Sequence, residues 1–124
     1  MVAYSFNGKW LPDWLSEEER KAEVFRRILK GIKNRTTREN PRAKPGDSLQ
    51  LYWKQRTKEC ELIMRTKCIL SYKIKFEKGM LYVSTLEGHW FKKNAEYFSK
   101  KEGFNCVGDM FKYFKDGIYH TVEW

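Results

Sequence analysis

An α+β domain with a strongly bent, mostly antiparallel sheet is the fold the sequence predicts, and three observations predict it. An amphipathic helix opens after Ser16, apolar and polar residues alternate between Leu49 and Leu86, and two short helical stretches precede a last strand. A sheet of that length next to few helices curls on itself, toward a small barrel. A chain of 124 residues makes one domain, residues 1–124, with residues 1–15 as an irregular N-terminal extension. Hydrophobic residues at 41% and aromatics at 16% supply a core. No apolar stretch is long enough to cross a bilayer, so a soluble protein without a membrane partner is expected. The first ten residues lack the pattern of a secretory signal, which leads to the expectation of a cytoplasmic location.

The elements follow from local chemistry. Residues 1–15 read as a short strand and a loop. Ser16 with Glu19 three residues on forms a capping box, and Glu17 and Glu18 suit the positive end of the helix dipole. Ala22, Phe25, Leu29 and Ile32, with Ile28 beside them, recur at helical spacing and predict the buried stripe, and Gly31 suits the exit. Asn40-Pro41 marks a loop, and Lys44-Pro45-Gly46-Asp47 a type II turn. Leu49, Leu51 and Trp53 alternate with polar partners as a strand covered on one side. Leu62, Met64, Cys68, Leu70, Tyr72, Ile74 and Phe76 share one parity over fifteen residues, too long for one strand, so a bend, a bulge or two strands are expected. Lys78-Gly79 predicts a turn into a strand from Met80 to Leu86. A short helix over Asn94–Lys101, capped by Asn94 and ended by Gly103, comes next. Val107, Met110, Phe111 and Phe114 predict another, with Asn105 as cap and Gly117 as stop, before a strand from Tyr119 to Trp124.

Cys60, Cys68 and Cys106 are odd in number and lack a Cys-x-x-Cys pair, and His89 and His120 stand alone. Neither a disulfide framework nor a metal site is suggested, and no cofactor is expected. Charge is more informative. Residues 20–44 hold ten basic side chains against Glu23 and Glu39, so this segment carries +8 of the net +9. Such a patch attracts polyanions. A solvated basic face with no partner is the plain alternative.

Within that segment, Gly31-Ile32-Lys33-Asn34-Arg35-Thr36-Thr37-Arg38 places an ammonium, a hydroxyl and a guanidinium where the chain leaves the helix. On a straight strand Lys33 and Thr36 would face opposite ways; a chain that turns lets them converge. A threonine hydroxyl becomes a nucleophile only with a base, and lysine is a base only when burial or neighbouring cations such as Arg27, Lys30, Arg35 and Arg38 lower its pKa. The simpler alternative is a phosphate clamp, with Lys33 and Arg35 on the anion and Thr36 donating to it.

The run Gly31-x-Lys33-x-x-Thr36-x-Arg38 resembles the signature of ASCH domains, a family of the PUA-like superfamily of small β-barrels. Pro45-Gly46-Asp47 before a strand and Gly103-Phe104 before a helix extend the resemblance over roughly residues 20–124. It implies a PUA-like barrel and a function among RNA-binding modules, a ribonuclease, and small amidohydrolases that deacetylate N4-acetylcytidine. For the amidohydrolase type it implies a lysine, threonine and glutamate triad: Lys33 fits the lysine and Thr36 the nucleophile. The glutamate position falls on Gly108 or Asp109, the latter one methylene shorter. Glu102 lies nearby without a spacing that supports the role.

The reading that results is a nucleic-acid-binding, preferably RNA-binding, ASCH-like domain with a basic cleft of Arg27, Lys30, Lys33, Arg35, Thr36 and Arg38. Trp10 and Trp14 are the aromatics expected to offer exposed stacking faces. A small hydrolase of a modified nucleoside or of RNA, with Lys33 as base, Thr36 as nucleophile and Asp109 as acid, is the alternative; an adaptor for an acidic protein is a third. A monomer is the simplest expectation.

Overall fold

Capping, turn chemistry and strand alternation settle most of the elements where the sequence puts them. The computed structural model describes residues 1–40, 42–85 and 87–124. In chain order the elements are β1 (Val2–Phe6), α1 (Glu17–Leu29), β2 (Arg35–Arg38), β3 (Ser48–Trp53), β4 (Glu61–Lys67), β5 (Leu70–Glu77), β6 (Met80–Ser84), β7 (Trp90–Lys92), α2 (Ala95–Glu102), α3 (Val107–Tyr113) and β8 (Gly117–Glu123). None of the described helices is long and apolar enough to cross a membrane.

The strands form two sheets rather than a closed barrel. One is β1-β3-β4, in which β1 runs parallel to β3; the other, β2-β8-β5-β6-β7, is antiparallel throughout. The long alternating run divides at Cys68-Ile69, where the chain passes from the first sheet to the second. Cys68 donates its amide to the Asp47 carbonyl (2.8 Å) and Ile69 to that of Glu123 (2.8 Å), so this crossing is pinned on both sides. It also breaks the predicted parity. In β4 the buried residue is Ile63, flanked by half-buried Leu62 and Met64, whereas in β5 Ile74 and Phe76 are buried and Leu70 is exposed.

Helix α1 has the predicted capping box, with the Glu19 amide donating to Ser16 Oγ (3.1 Å) and the Ser16 amide donating to Glu19 Oε1 (3.0 Å). Its buried stripe differs from the predicted one. Val24 and Ile28 are buried, while Leu29 is 57% exposed and Ile32 also faces out. The N-terminal segment decides this, because Arg20 gathers the carbonyls of Gly8 (2.8 Å), Leu11 (3.3 Å), Pro12 (3.2 Å) and Leu15 (3.3 Å) and draws that loop over the Val24 side.

The turn at 44–47 closes as predicted, the Asp47 amide donating to the Lys44 carbonyl (3.0 Å). The Lys78-Gly79 hairpin has positive φ at both residues, as a type I′ turn requires. Helix α2 carries the Asn94 cap, its side chain accepting from the Tyr97 amide (3.1 Å). Helix α3 differs: its N-cap is Cys106, without a side-chain bond, because the Asn105 amide oxygen is taken by Arg27 (2.9 Å). It ends at Tyr113, well before Gly117, which instead opens β8. Pro41 and Leu86, assigned to a loop and to a strand end in the sequence, lie outside the described residues.

Two apolar clusters result. One joins the three-stranded sheet to α1 through Tyr4, Phe6, Val24, Ile28, Leu49, Leu51 and Trp53. The other joins the five-stranded sheet to α2 and α3 through Ile74, Phe76, Leu81, Phe98, Phe104, Met110 and Phe114. Half-buried Trp10 packs against both, at the seam where β1, β2 and the end of α2 meet.

Arg20→Met keeps the apolar stem but releases four carbonyls of the loop over Val24. A loss of about 2–3 kcal/mol in urea unfolding is expected, the magnitude of several hydrogen bonds to a charged donor.

Candidate functional site

The helix exit turns Lys33 inward. Gly31 takes a left-handed φ of 74°, and the Lys33 amide donates back to the Arg27 carbonyl (2.9 Å), folding the chain over the end of α1. Asn34 then donates to the Lys101 carbonyl (3.0 Å) and accepts from the Trp124 amide (2.9 Å), which docks the segment between α2 and the C-terminal strand. β2 begins only at Arg35, so Lys33 and Thr36 are not on one straight strand and can line the same recess.

Lys33 is 2% exposed and its partner is Glu102, which is 4% exposed. The ammonium donates to the Glu102 main-chain carbonyl and lies 3.4 Å from Glu102 Oε1. The rings of Phe6 and Trp10 face it at 5.5 and 5.0 Å. The other carboxylate oxygen of Glu102 accepts from Thr37 Oγ1 (3.1 Å), and the Thr37 and Thr121 hydroxyls bond each other (2.8 Å). With its proton given to Glu102, Thr37 takes the proton of Thr121, a relay that anchors the carboxylate to β8.

Burial sets the protonation chemistry. Lys33 is brought down to about 8, first by desolvation and further by Arg38 and Arg35; the Glu102 charge opposes the fall. Glu102 is shifted upward, also by desolvation, against the pull of Lys33. Both shifts run toward the neutral forms of the pair. Arg38 Nε donates to Thr36 Oγ1 (3.1 Å), and the same guanidinium donates to the Ser5 carbonyl (2.9 Å) beneath the Tyr4 and Phe6 rings. These groups border a recess of about 70 Å³, completed by Trp10, Phe104 and Tyr113.

The recess brings together Lys33, Thr36 and Arg38 of the predicted site residues, and it adds Glu102 and Thr37, to which the sequence reading assigned no role. Asp109 does not join them. It lies in a neighbouring groove with Lys9, Asp13 and Lys112, on the far side of Trp10 and Tyr113. The adjoining Gly103 could have pointed to Glu102: a glycine in the left-handed conformation ends α2 and fixes the residue before it against Lys33. The carbonyl of Gly103 accepts from Trp10 Nε1 (3.2 Å) and from Arg27.

Much of the basic segment is engaged by the chain's own carbonyls and carboxylates, some of it in the interior and some at the surface. Arg20 holds carbonyls, Lys21 pairs with Glu61, Arg26 and Arg27 with Glu23, Lys33 with Glu102, and Arg35 with Glu123. Arg35 is buried and also donates to the Tyr72 hydroxyl (3.4 Å), behind the recess rather than at its mouth. Of the exposed cations in the predicted cleft, Lys30 remains. Trp14 is 80% exposed as expected, but Trp10 is half-buried and hydrogen-bonded.

No family model, curated protein or solved structure matches the chain.

Because the folded pKa of Lys33 lies below its unfolded value, the unfolded chain binds the extra proton between about pH 8 and pH 10.5, and stability rises across that window. Lys33→Met lacks this term. The stability gap between wild type and Lys33→Met is expected to widen in favour of wild type as pH rises from 8 to 10, measured by chemical denaturation at each pH.

Proposed function

We propose that this chain is an ASCH-like domain whose recess binds an acylated nucleoside base and hydrolyses its amide, with N4-acetylcytidine as the substrate to test first. One observation carries the reading: a buried lysine brought into the range of a general base shares a recess with Thr36, and a buried carboxylate, Glu102, completes the set. A lysine 2% exposed and already paired is poorly suited to clamping a phosphate, but it is suited to moving a proton.

In this mechanism neutral Lys33 accepts the proton of Thr36 as Oγ1 attacks the amide carbon. The oxyanion that forms is stabilised by the Arg38 guanidinium, which already donates to Thr36 Oγ1. The tetrahedral intermediate collapses, the C–N bond breaks, and the Lys33 ammonium returns the proton to the departing base nitrogen. Water, deprotonated by Lys33, then attacks the acyl-threonine ester; the C–O bond to Thr36 breaks, the carboxylic acid departs, and the Lys33 ammonium returns the proton to Thr36 Oγ1. Glu102 holds Lys33 in place and, by its charge, keeps the lysine pKa from falling further. The volume of the recess, that of about two liquid waters, suits an acyl group and excludes bulk solvent from it.

A non-catalytic RNA-binding module that uses Arg27, Lys30, Lys33, Arg35, Thr36 and Arg38 has less support. Arg27, Lys33 and Arg35 are ion-paired within the fold and Arg38 is tied to Thr36 and Ser5, so few charges remain for a polyanion.

Wild-type protein is expected to turn over N4-acetylcytidine, with kcat/KM rising tenfold per pH unit and levelling near pH 8. Thr36→Val and Lys33→Met should each lose about 100-fold or more. Glu102→Gln should move the midpoint of the pH profile below that of wild type, since a charge that raises the lysine pKa is removed. Asp109→Ala should retain turnover. No turnover by wild type excludes this substrate.

A further inference from the structure

The recess is too small for a whole nucleoside, so the rest of any such ligand lies in a groove that adjoins it. Two are informative. One shares Ser5 and Arg38 with the recess and continues along Glu39, Arg42, Gln55 and Arg56, with a volume of about 350 Å³. The other shares Trp10 and Tyr113 and contains Lys9, Lys112, Asp13 and Asp109. Charge separates them: three guanidiniums face one carboxylate in the first, and two ammoniums face two carboxylates in the second.

The first groove is also built rather than accidental. The Gln55 amide donates to Ser5 Oγ (3.0 Å) and the Lys54 amide to the Phe6 carbonyl (2.9 Å), which fastens the loop bearing Arg56 to β1 beside the recess. Arg56 takes a left-handed φ of 68° in that loop and is exposed. Opposite it, Arg42 is exposed with its guanidinium over the Tyr4 ring at 5.2 Å. Among the described residues neither Arg42 nor Arg56 has a carboxylate in ion-pair contact, in contrast to Lys21, Arg26, Arg27, Lys33 and Arg35 of the basic segment. Planar guanidiniums without a carboxylate partner among the described residues, lining one groove, match the oxygens of a phosphate.

We propose that Arg42 and Arg56, continuing from Arg38, form a phosphate subsite, so that the recess takes its base from a nucleotide rather than from a free nucleoside. The proposal rests on the nucleoside-pocket reading above. The phosphate belongs to a mononucleotide or to an RNA strand, and the subsite chemistry is the same for both.

Binding, not turnover, tests it. Wild type and the R42Q/R56Q variant are titrated by calorimetry with cytidine, cytidine 5′-monophosphate and a short single-stranded RNA at low and moderate salt. The monophosphate is expected to bind wild type about tenfold or more tighter than cytidine. That gap should shrink with salt and close to within about twofold in R42Q/R56Q. RNA that binds tighter than the monophosphate identifies a strand as the source; RNA that binds equally or more weakly identifies the mononucleotide. Equal affinities for cytidine and its monophosphate in wild type, or a gap that survives in R42Q/R56Q, overturns the subsite. Binding of none of the three overturns both the subsite and the nucleoside pocket. An absence of turnover with the phosphate preference intact overturns only the hydrolase reading.

Discussion

The buried pair of Lys33 and Glu102 is the constraint around which the seam between the two sheets is organised. Taking both charges out of water costs several kcal/mol apiece before their attraction is counted, so the pair persists only if its remaining hydrogen-bonding capacity is met. Thr37, itself bonded to Thr121, meets it for the carboxylate, and the Glu102 carbonyl meets it for the ammonium. The arrangement leaves little room: a Cβ on Gly103 would stand 3.1 Å from Lys33 Cδ and 3.1 Å from Trp10 Nε1, in a left-handed backbone with φ of 108°. Gly103 thus ends α2, lets the lysine stem pass and presents its carbonyl to Trp10 and Arg27. Helix α1, β1, β2 and α2 all converge on this one contact.

The same economy explains the fate of the positive charge. A sequence with a net charge of +9 reads as a polyanion binder, and composition supports that expectation. Folding redirects half of the concentrated segment to internal work: Arg20 ties a loop, Arg27 holds the end of α2, Lys33 pairs with Glu102, Arg35 bonds Glu123 and Tyr72, and Arg38 bonds β1. The Tyr72 hydroxyl, half-buried and bonded to Glu123, is pushed well above the ordinary phenol range, which keeps it a neutral donor within that cluster. Among the described residues, Arg42 and Arg56 are left without a carboxylate partner, outside the Gly31–Arg38 run.

Where an element depends on a few neighbouring residues, the sequence was legible. The capping box at Ser16, the Pro45-Gly46 turn, the Lys78-Gly79 hairpin and the Asn94 and Gly103 ends of α2 all rest on bonds that span four residues or fewer. Errors arose where distant chain decides. The α1 stripe is rotated because a loop held by Arg20 covers Val24. The parity of β4 is offset from that of β5 because the chain changes sheets at Cys68-Ile69. The short β7 exists as a strand only through its pairing with β6. Asn105 fails as a cap because Arg27, distant in sequence, takes its oxygen.

For the site, the sequence by itself determined the reactive types and their local geometry: Lys33, Thr36 and Arg38 sit where a glycine-ended helix gives way to a strand. It also determined that the fold is α+β with mostly antiparallel strands. Which acid meets the lysine depends on how α2 and α3 pack. Glu102 closes α2 and Asp109 lies in the first turn of α3, seven residues on, and spacing does not rank them. The left-handed Gly103 turns the first into the seam, and the start of α3 carries the second past Trp10 into another groove. Burial, which makes a lysine ammonium acidic enough to lose its proton near pH 8 and a carboxylic acid reluctant to lose its own, is a property of the packed interior and of no short stretch of chain.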